Sequence, residues 1–242
     1  MRAMVLAAGY GTRLGEHTRE IPKAMLDVHG RPLLEWILRH LAAQGIREVA
    51  VNIHFGSEQI EEHFRDGSEL GLQIRYSHER ELLGTAGALR KMAAFLRESD
   101  PFLVQYGDVV TDQPLAPLVD AHRRCRALAT LLTHRRKDSN SVLELDPDGR
   151  VTRFLERPGQ QERAGLDSDW VNSGMCVCSP GLIERIPEGA SDLPRDVIVP
   201  AVDESRIFAV PLSGYRCAVD SPERLNQLRA AIAAHQMNVA TL

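Results

Sequence analysis

A chain of 242 residues, 43% hydrophobic and 26% charged, holds enough material for one large α/β domain or two small ones around a buried core. Its net charge of −4 excludes a bulk attraction to nucleic acid, though local geometry can still build an anion site. No apolar run approaches the ~20 residues that span a bilayer, so no membrane partner is expected.

In chain order, Ala3 to Ala8 is a short apolar run ending in a Gly-rich turn, which predicts a buried strand feeding a loop. Leu33, Leu34, Ile37, Leu38 and Leu41 mark one face of a helix over 32–44, punctuated by Pro32 and Gly45. A strand follows at 49–53, then a helix over 57–64 capped by Ser57, with Ile60 and Phe64 four apart. A third strand at 72–76, a helix over 85–96 and a buried strand at 102–105 come next. This alternation predicts a parallel sheet with helices on both faces. The later half is more mixed. Strands are predicted at 127–132, 141–145, 151–155, 171–177, 207–210 and 215–219, short helices at 180–185 and 193–202, and an amphipathic helix at 222–235. The polar stretch 158–168 predicts a loop. With no repeat, low-complexity tract or linker, one domain over 1–242 is expected, the half 111–242 folding over the end of the sheet in 1–110.

The cysteines are Cys125, Cys176, Cys178 and Cys217. None has zinc-site spacing, and Cys176 and Cys178 would share one strand face, so free thiols in a reduced compartment are expected. The residues before the first Gly-rich turn are too few for a signal-peptide apolar region, so the expected location is cytoplasmic.

The chemistry begins at that turn. Gly9 and Gly11 let backbone N–H groups approach an anion and tolerate positive φ; Thr12 adds a hydroxyl and Arg13 a guanidinium fork. The turn follows a strand, where open α/β sheets bind ligands. Gly-x-Gly alone fits a tight turn with a solvated arginine equally well. The segment lacks the third glycine of the dinucleotide fingerprint and the Gly-Lys-Ser/Thr of the P-loop. Pro22 stiffens the approach to Lys23, a compact cation placed to reach phosphate.

The ordered set of motifs resembles one family. Leu6-Ala7-Ala8-Gly9-x-Gly11-Thr12-Arg13-Leu14, then Pro22-Lys23 and Gly30-Arg31-Pro32-Leu33, are similar to the signature of the sugar-1-phosphate nucleotidyltransferases. Leu83-Gly84-Thr85-Ala86-Gly87-Ala88, Gly107-Asp108, Glu156-Arg157-Pro158 and Asn172-Ser173-Gly174 match further elements in the family's order. The resemblance implies a single Rossmann-like (GT-A type) α/β domain with a mostly parallel, mixed sheet. It implies a nucleotide-binding half at 1–110 and a sugar-phosphate-binding half at 111–242. Arg13, Lys23 and Asp108 are the implied catalytic residues. The turn 9–13 with Lys23 would hold the triphosphate, and the backbone of Leu6, Ala7 and Ala8, with Gly87, would frame base and ribose. Asp108 would bind Mg²⁺, a hard cation suited to carboxylate and phosphate oxygens. Glu156, Asn172 and Gly174 would line the sugar pocket, with Arg157 on the sugar phosphate. The reaction implied is in-line attack of a sugar 1-phosphate on the α-phosphorus of an NTP, with release of pyrophosphate.

Three positions depart from the pattern. Arg157 replaces the lysine of Glu-Lys-Pro, exchanging a point charge for a planar fork. Ser139-Asn140-Ser141-Val142 replaces a common Tyr-Gly, so Ser141 would narrow the sugar pocket or contact a hydroxyl. In Cys217-Ala218-Val219-Asp220-Ser221-Pro222-Glu223, Ala218 stands where relatives carry the second metal aspartate; Asp220, two residues on and on the same strand face, is the expected replacement.

The donor and acceptor implied by the closest resemblance are GTP and mannose- or heptose-1-phosphate. Uridylyl, thymidylyl or cytidylyl transfer to another sugar phosphate is the alternative, as is a small phosphate such as phosphocholine. Phosphocholine calls for an aromatic cage, and the chain has only 5% aromatics. A non-catalytic nucleotide-sugar-binding regulatory subunit fits the loss at Ala218 but leaves Arg13, Lys23 and Asp108 without purpose. A dinucleotide oxidoreductase needs an acid after the second strand, where Asn52 to His54 stand. Frequency alone favours a homodimer.

Overall fold

The computed structural model describes residues 1–137, 139–163 and 168–237. They divide into two compact units that do not follow the sequence halves: the first comprises 1–82, 105–114 and 213–242, the second 83–104 and 115–212.

In the first unit the apolar runs become three parallel strands, Ala3–Leu6, Glu48–Ile53 and Gln73–His78, in register at Leu6, Asn52 and Ser77. Val5, Val49 and Val51 are fully buried, which explains their lack of polar alternation. The helix Leu33–Ala43 turns Leu33, Leu34, Ile37, Leu38 and Leu41 inward, as its spacing predicts. It packs against the Lys23–Met25 turn and against Val109–Thr111, a strand not foreseen from the sequence. The helix Ser57–Phe64 buries Ile60 and Phe64, but Ser57 is not its cap. Gly56 holds that place at φ 62°, and a Cβ there would stand 2.7 Å from the Pro22 ring. That close approach seats Pro22 just before Lys23. Arg216–Ala218 pairs antiparallel with Val109–Thr111.

The closing helix, Pro222–Ala233, starts at Ser221, whose hydroxyl accepts from Arg224 N at 3.3 Å. Ser221→Ala should lower stability by about 1 kcal/mol, read by denaturant unfolding.

The second unit carries a mixed sheet. Ala129–Arg135 pairs parallel with Ile207–Pro211 and antiparallel with Trp170–Cys178. Trp170 also pairs with Leu143 of Ser141–Leu145, which runs antiparallel to Val151–Glu156. A helix not foreseen from the sequence, Ala116–Cys125, packs on Ala129–Arg135 and buries Leu118, Ala121 and His122. His122 sits between the Thr130 and Ser179 hydroxyls at 3.1 and 3.0 Å, and burial pushes its pKa down to about 4. The expected helix at 85–96 breaks at Met92 into Gly84–Lys91 and Ala93–Leu96. The helix expected at 193–202 is a π-helix, Leu193–Ile198, followed by two single turns.

Within the expected loop at 158–168 a short helix, Gln160–Arg163, forms; positions 164–167 lie outside the described residues. Cys176 and Cys178 share a face with their sulfurs 3.5 Å apart, and all four cysteines are free thiols. Among the described residues no helix is long and apolar enough to cross a membrane.

Candidate active site

In the first unit the strand Ala3–Leu6 ends at a loop tied down from two sides. Ala7 N donates to Asn52 Oδ1 at 2.8 Å, and Asn52 Nδ2 donates to Glu79 Oε1 at 2.8 Å, with both partners buried. Gly107 N donates to Leu6 O at 2.9 Å. These contacts fix the Leu6–Ala8 backbone before the turn begins. Gly11 adopts φ 66°, and a Cβ there would meet Lys23 Cβ and Thr18 Cγ2, both at 3.1 Å. The Thr18 hydroxyl donates to Gly11 O at 3.0 Å and Leu14 N to the same oxygen at 2.9 Å, closing the turn.

The charged residues singled out in this half come together. Lys23 Nζ lies 2.9 Å from Asp108 Oδ2, with both side chains mostly buried. Arg13 lies 3.5 Å from Asp220 Oδ2 and is largely exposed. The strand Arg216–Ala218 stops at Ala218, and Asp220 N donates back to Ala218 O at 3.1 Å. A tight turn, rather than the expected continuous strand face, therefore presents Asp220. Val219 N donates to Asp108 O at 2.8 Å and holds that turn beside Asp108. Outside the turn a groove of about 460 Å³ is lined by Tyr10, Thr12, Thr18, Arg19 and Phe55. Tyr10 meets His54 Nε2 at 2.6 Å, and His54 Nδ1 meets Glu79 O at 2.6 Å. The carbonyl can only accept, so Nδ1 carries the proton.

In the second unit Ser141, Glu156, Arg157, Asn172 and Gly174 lie on adjoining strands or their ends. Glu156 is paired in register with Ser141. Ser141 is buried, and its Oγ accepts from Asn172 N at 3.0 Å, so it braces one strand against the next. Asn172 Oδ1 accepts from Gly174 N at 3.1 Å, with Gly174 at φ 82°. Arg157 sits at φ 52°, its N bound to Asn140 O at 2.6 Å and its exposed guanidinium 3.8 Å from Glu156 Oε1.

Burial, and then the carboxylate of Asp192, push the Glu156 pKa up to about 7, against the pull of Arg157 and Arg195. Between its ordinary 4.5 and about 7 the folded chain holds a proton that the unfolded chain has lost, so stability falls as pH rises across that window. Glu156→Gln removes this slope. Relative to wild type it should gain about 2 kcal/mol from about pH 5 to about pH 8 in denaturant titrations; parallel curves would refute the raised value.

Gly87 lies in the second unit, in the helix Gly84–Lys91, with a virtual Cβ 2.9 Å from Gly189 O. Gly84 is tighter still: at φ 71° its Cβ would stand 2.4 Å from Ser191 O. The Thr85 hydroxyl accepts from Leu193 N at 2.6 Å and donates to Asp192 Oδ2 at 3.3 Å. Sequence reasoning passed over Asn52 and Asp192. The available signals were a lone amide in the apolar run 49–53, and an Asp preceding Leu-Pro, a helix-start pattern.

A model of the nucleotidyl transferase family matches residues 2–204. A UTP–glucose-1-phosphate uridylyltransferase of Synechocystis sp. is 34% identical over 86% of this chain and 57% of its own length. A mannose-1-phosphate guanylyltransferase of Mycobacterium tuberculosis is 36% identical over 90% of this chain and 57% of its own length. The chain thus spans a little over half the length of these curated relatives. Among solved structures, HddC from Yersinia pseudotuberculosis complexed with GMP-PN superposes with a TM-score of 0.79 at 22% identity, covering 96% of this chain and 99% of that one. A UDP-glucose pyrophosphorylase complexed with UDP-glucose gives 0.82 at 18% identity, covering 97% and 98%. These likenesses establish the fold, a single α/β architecture with a mixed sheet. With the family model spanning most of its length and its motifs in the expected order, the chain belongs to the nucleotidyl transferase family.

Proposed function

We propose that the chain transfers a nucleoside monophosphate from an NTP to a sugar 1-phosphate, releasing pyrophosphate. The observation that carries this reading is Lys23 Nζ at 2.9 Å from Asp108, beside the glycine turn that Gly107 N anchors at Leu6. A cation and a carboxylate at a phosphate-binding turn suit charge neutralisation of a triphosphate, with no covalent nucleophile required. The backbone from Leu6 to Ala8 frames base and ribose. The N–H groups of 9–13, with Thr12, Arg13 and Lys23, hold the phosphates. In the second unit Glu156 and Asn172 take the sugar hydroxyls and Arg157 its phosphate. An oxygen of the sugar phosphate attacks the α-phosphorus as the bond to the β-phosphate breaks, and Lys23 and Arg13 stabilise the charge that builds on the leaving pyrophosphate.

Asp108 and Asp220 would hold Mg²⁺. Among the described residues no cluster of three or more ligating side chains occurs. Asp108 and Asp220, on backbone segments joined by the bond from Val219 N to Asp108 O, are two hard carboxylates that would suit an ion also taking phosphate oxygens and water. When bound, such an ion withdraws charge from the phosphates and holds them in line for attack.

For the substrates we propose GTP with mannose- or heptose-1-phosphate, supported by the relatives named as mannose-1-phosphate guanylyltransferases. UTP with glucose 1-phosphate is the second reading, favoured by the uridylyltransferase relative at comparable identity. The test is a pyrophosphate-release screen with Mg²⁺, crossing ATP, GTP, CTP, UTP and dTTP with sugar 1-phosphates and phosphocholine. Turnover with a sugar 1-phosphate is expected. Nucleotide-sugar binding with no pyrophosphate from any pair would point instead to a regulatory subunit.

A further inference from the structure

The start of the glycine turn is tied to the sheet by two bonded paths that meet at one buried residue, Glu79. In the first, Glu79 Oε1 accepts from Asn52 Nδ2 at 2.8 Å, and Asn52 Oδ1 accepts from Ala7 N at 2.8 Å. In the second, Glu79 O accepts from His54 Nδ1 at 2.6 Å, and His54 Nε2 meets the Tyr10 hydroxyl at 2.6 Å. Glu79 N in turn donates to Ile53 O at 2.9 Å, so the point where the paths meet belongs to the sheet. With Nδ1 carrying its proton, the neutral imidazole leaves Nε2 to accept, and the Tyr10 O–H donates. The Tyr10 ring also stands edge-on to His54, with centroids 5.0 Å apart and planes at 83°.

Tyr10 is 46% exposed, so burial does not hold it in place. It stands between two glycines, which give the backbone wide freedom. Gly9 is in open space, where a Cβ would meet nothing within 4 Å. The next tie along the chain is at Gly11 O, which accepts from the Thr18 hydroxyl and from Leu14 N. Among the described residues, the hydrogen bond and ring contact of Tyr10 are therefore what anchor the turn between Ala8 and Gly11. Backbone N–H groups hold an anion well only when they already point at it, and a tethered turn meets that condition where a free one does not.

We propose that Tyr10 and His54 are positioning residues, latched to each other so that the N–H groups of 9–11 face the phosphates of a nucleotide. This rests on the reading of the turn as the triphosphate site. Both act through the backbone they hold rather than through a reacting atom.

The test compares wild type with Tyr10→Phe, His54→Ala and the double variant in the full chain. The first readout needs no ligand: ¹⁵N relaxation of the Gly9 and Gly11 amides, whose order parameters should fall in each variant, with the His54 Nε2 resonance marking the bond in wild type and its loss in Tyr10→Phe. The second is calorimetric binding of inorganic tripolyphosphate with Mg²⁺. Each single variant should bind about 5-fold more weakly, the yield of one ordinary hydrogen bond. The double variant should bind no more weakly than the singles, because either change opens the latch. In the pyrophosphate screen the nucleotide KM should rise while the acceptor KM holds, a split that a general loss of stability would not produce. Unchanged order parameters in Tyr10→Phe overturn the proposal, as do undiminished tripolyphosphate binding or additive losses in the double variant. Tyr10→Phe removes one exposed oxygen and decides alone if His54→Ala unfolds. A wild-type chain that binds no tripolyphosphate would refute the phosphate reading of the turn and with it the purpose of the latch; the order parameters separate that failure from a latch that does not form.

Discussion

Asp108→Asn should lower Mg²⁺-dependent pyrophosphate release by on the order of 10³-fold or more while leaving the chain folded. The expected loss is large because Asp108 stands at the meeting of two tasks. It faces Lys23 at 2.9 Å, and its backbone carbonyl holds Val219 and thus Asp220 alongside. Asparagine keeps the shape and the backbone bond but loses the charge that a hard cation requires. Lys23 then loses its ion partner while 13% exposed, at a cost of about 1–2 kcal/mol, because its ammonium can still turn toward water. Steady-state kinetics across Mg²⁺ concentrations and a thermal melt read the two effects separately. Activity equal to wild type at all Mg²⁺ levels would remove Asp108 from the metal site; an unfolded variant would move its role from chemistry to structure.

The sequence made this site legible through order rather than through any one motif. Gly9-x-Gly11 alone is only a turn, and Asp108 after a glycine is only a turn aspartate. Lys23 and Asp108 are 85 residues apart, and pairing them required a family pattern. What stayed hidden has physical causes. The helix Ala116–Cys125 buries only a narrow stripe, Leu118, Ala121 and His122, and one of these is polar. It ends on Arg126 at φ 47° rather than on a glycine, so the usual stop signal is missing. The break at Met92 has neither proline nor glycine to announce it. Ser57 looked like a cap because serine prefers that position, yet Gly56, at φ 62° and close against the Pro22 ring, holds it, and Ser57 is the first helical residue. Asn52 entered only as the absence of an acid; the structure gives it the Ala7 N–H to hold. The same limit applies at Ser141, read as narrowing the sugar pocket or contacting a hydroxyl; that its Oγ also receives the Asn172 N–H was not legible. Propensity and motif reading see residues one at a time, and each of these roles depends on a partner distant in sequence.

Gly107→Ala should cost about 3 kcal/mol of stability and on the order of 10²-fold in turnover, although it adds a single methyl group. A Cβ at this position would lie 2.6 Å from Leu6 O, 2.9 Å from Ala7 Cα and 3.1 Å from Ala7 Cβ. The first two are backbone atoms of a segment already pinned by Asn52, so no side chain can swing aside. Relief requires the 107–108 backbone to withdraw, which breaks the 2.9 Å bond from Gly107 N to Leu6 O. Overpacking contributes about 1–3 kcal/mol and the lost hydrogen bond about 1 kcal/mol. Withdrawal also carries Asp108 away from the turn, and a displacement of about 1 Å at a positioned group is enough for the kinetic loss. Gly9→Ala is the control, since a Cβ there meets nothing within 4 Å. Its stability should stay within about 0.5 kcal/mol of wild type. Denaturant unfolding of both variants, with kcat for Gly107→Ala, separates close backbone contact from a general need for flexibility in this loop. Equal destabilisation at Gly9 and Gly107 would mean that the loop depends on glycine for backbone freedom, and the close approach of Gly107 to Leu6 would then not be what places Asp108.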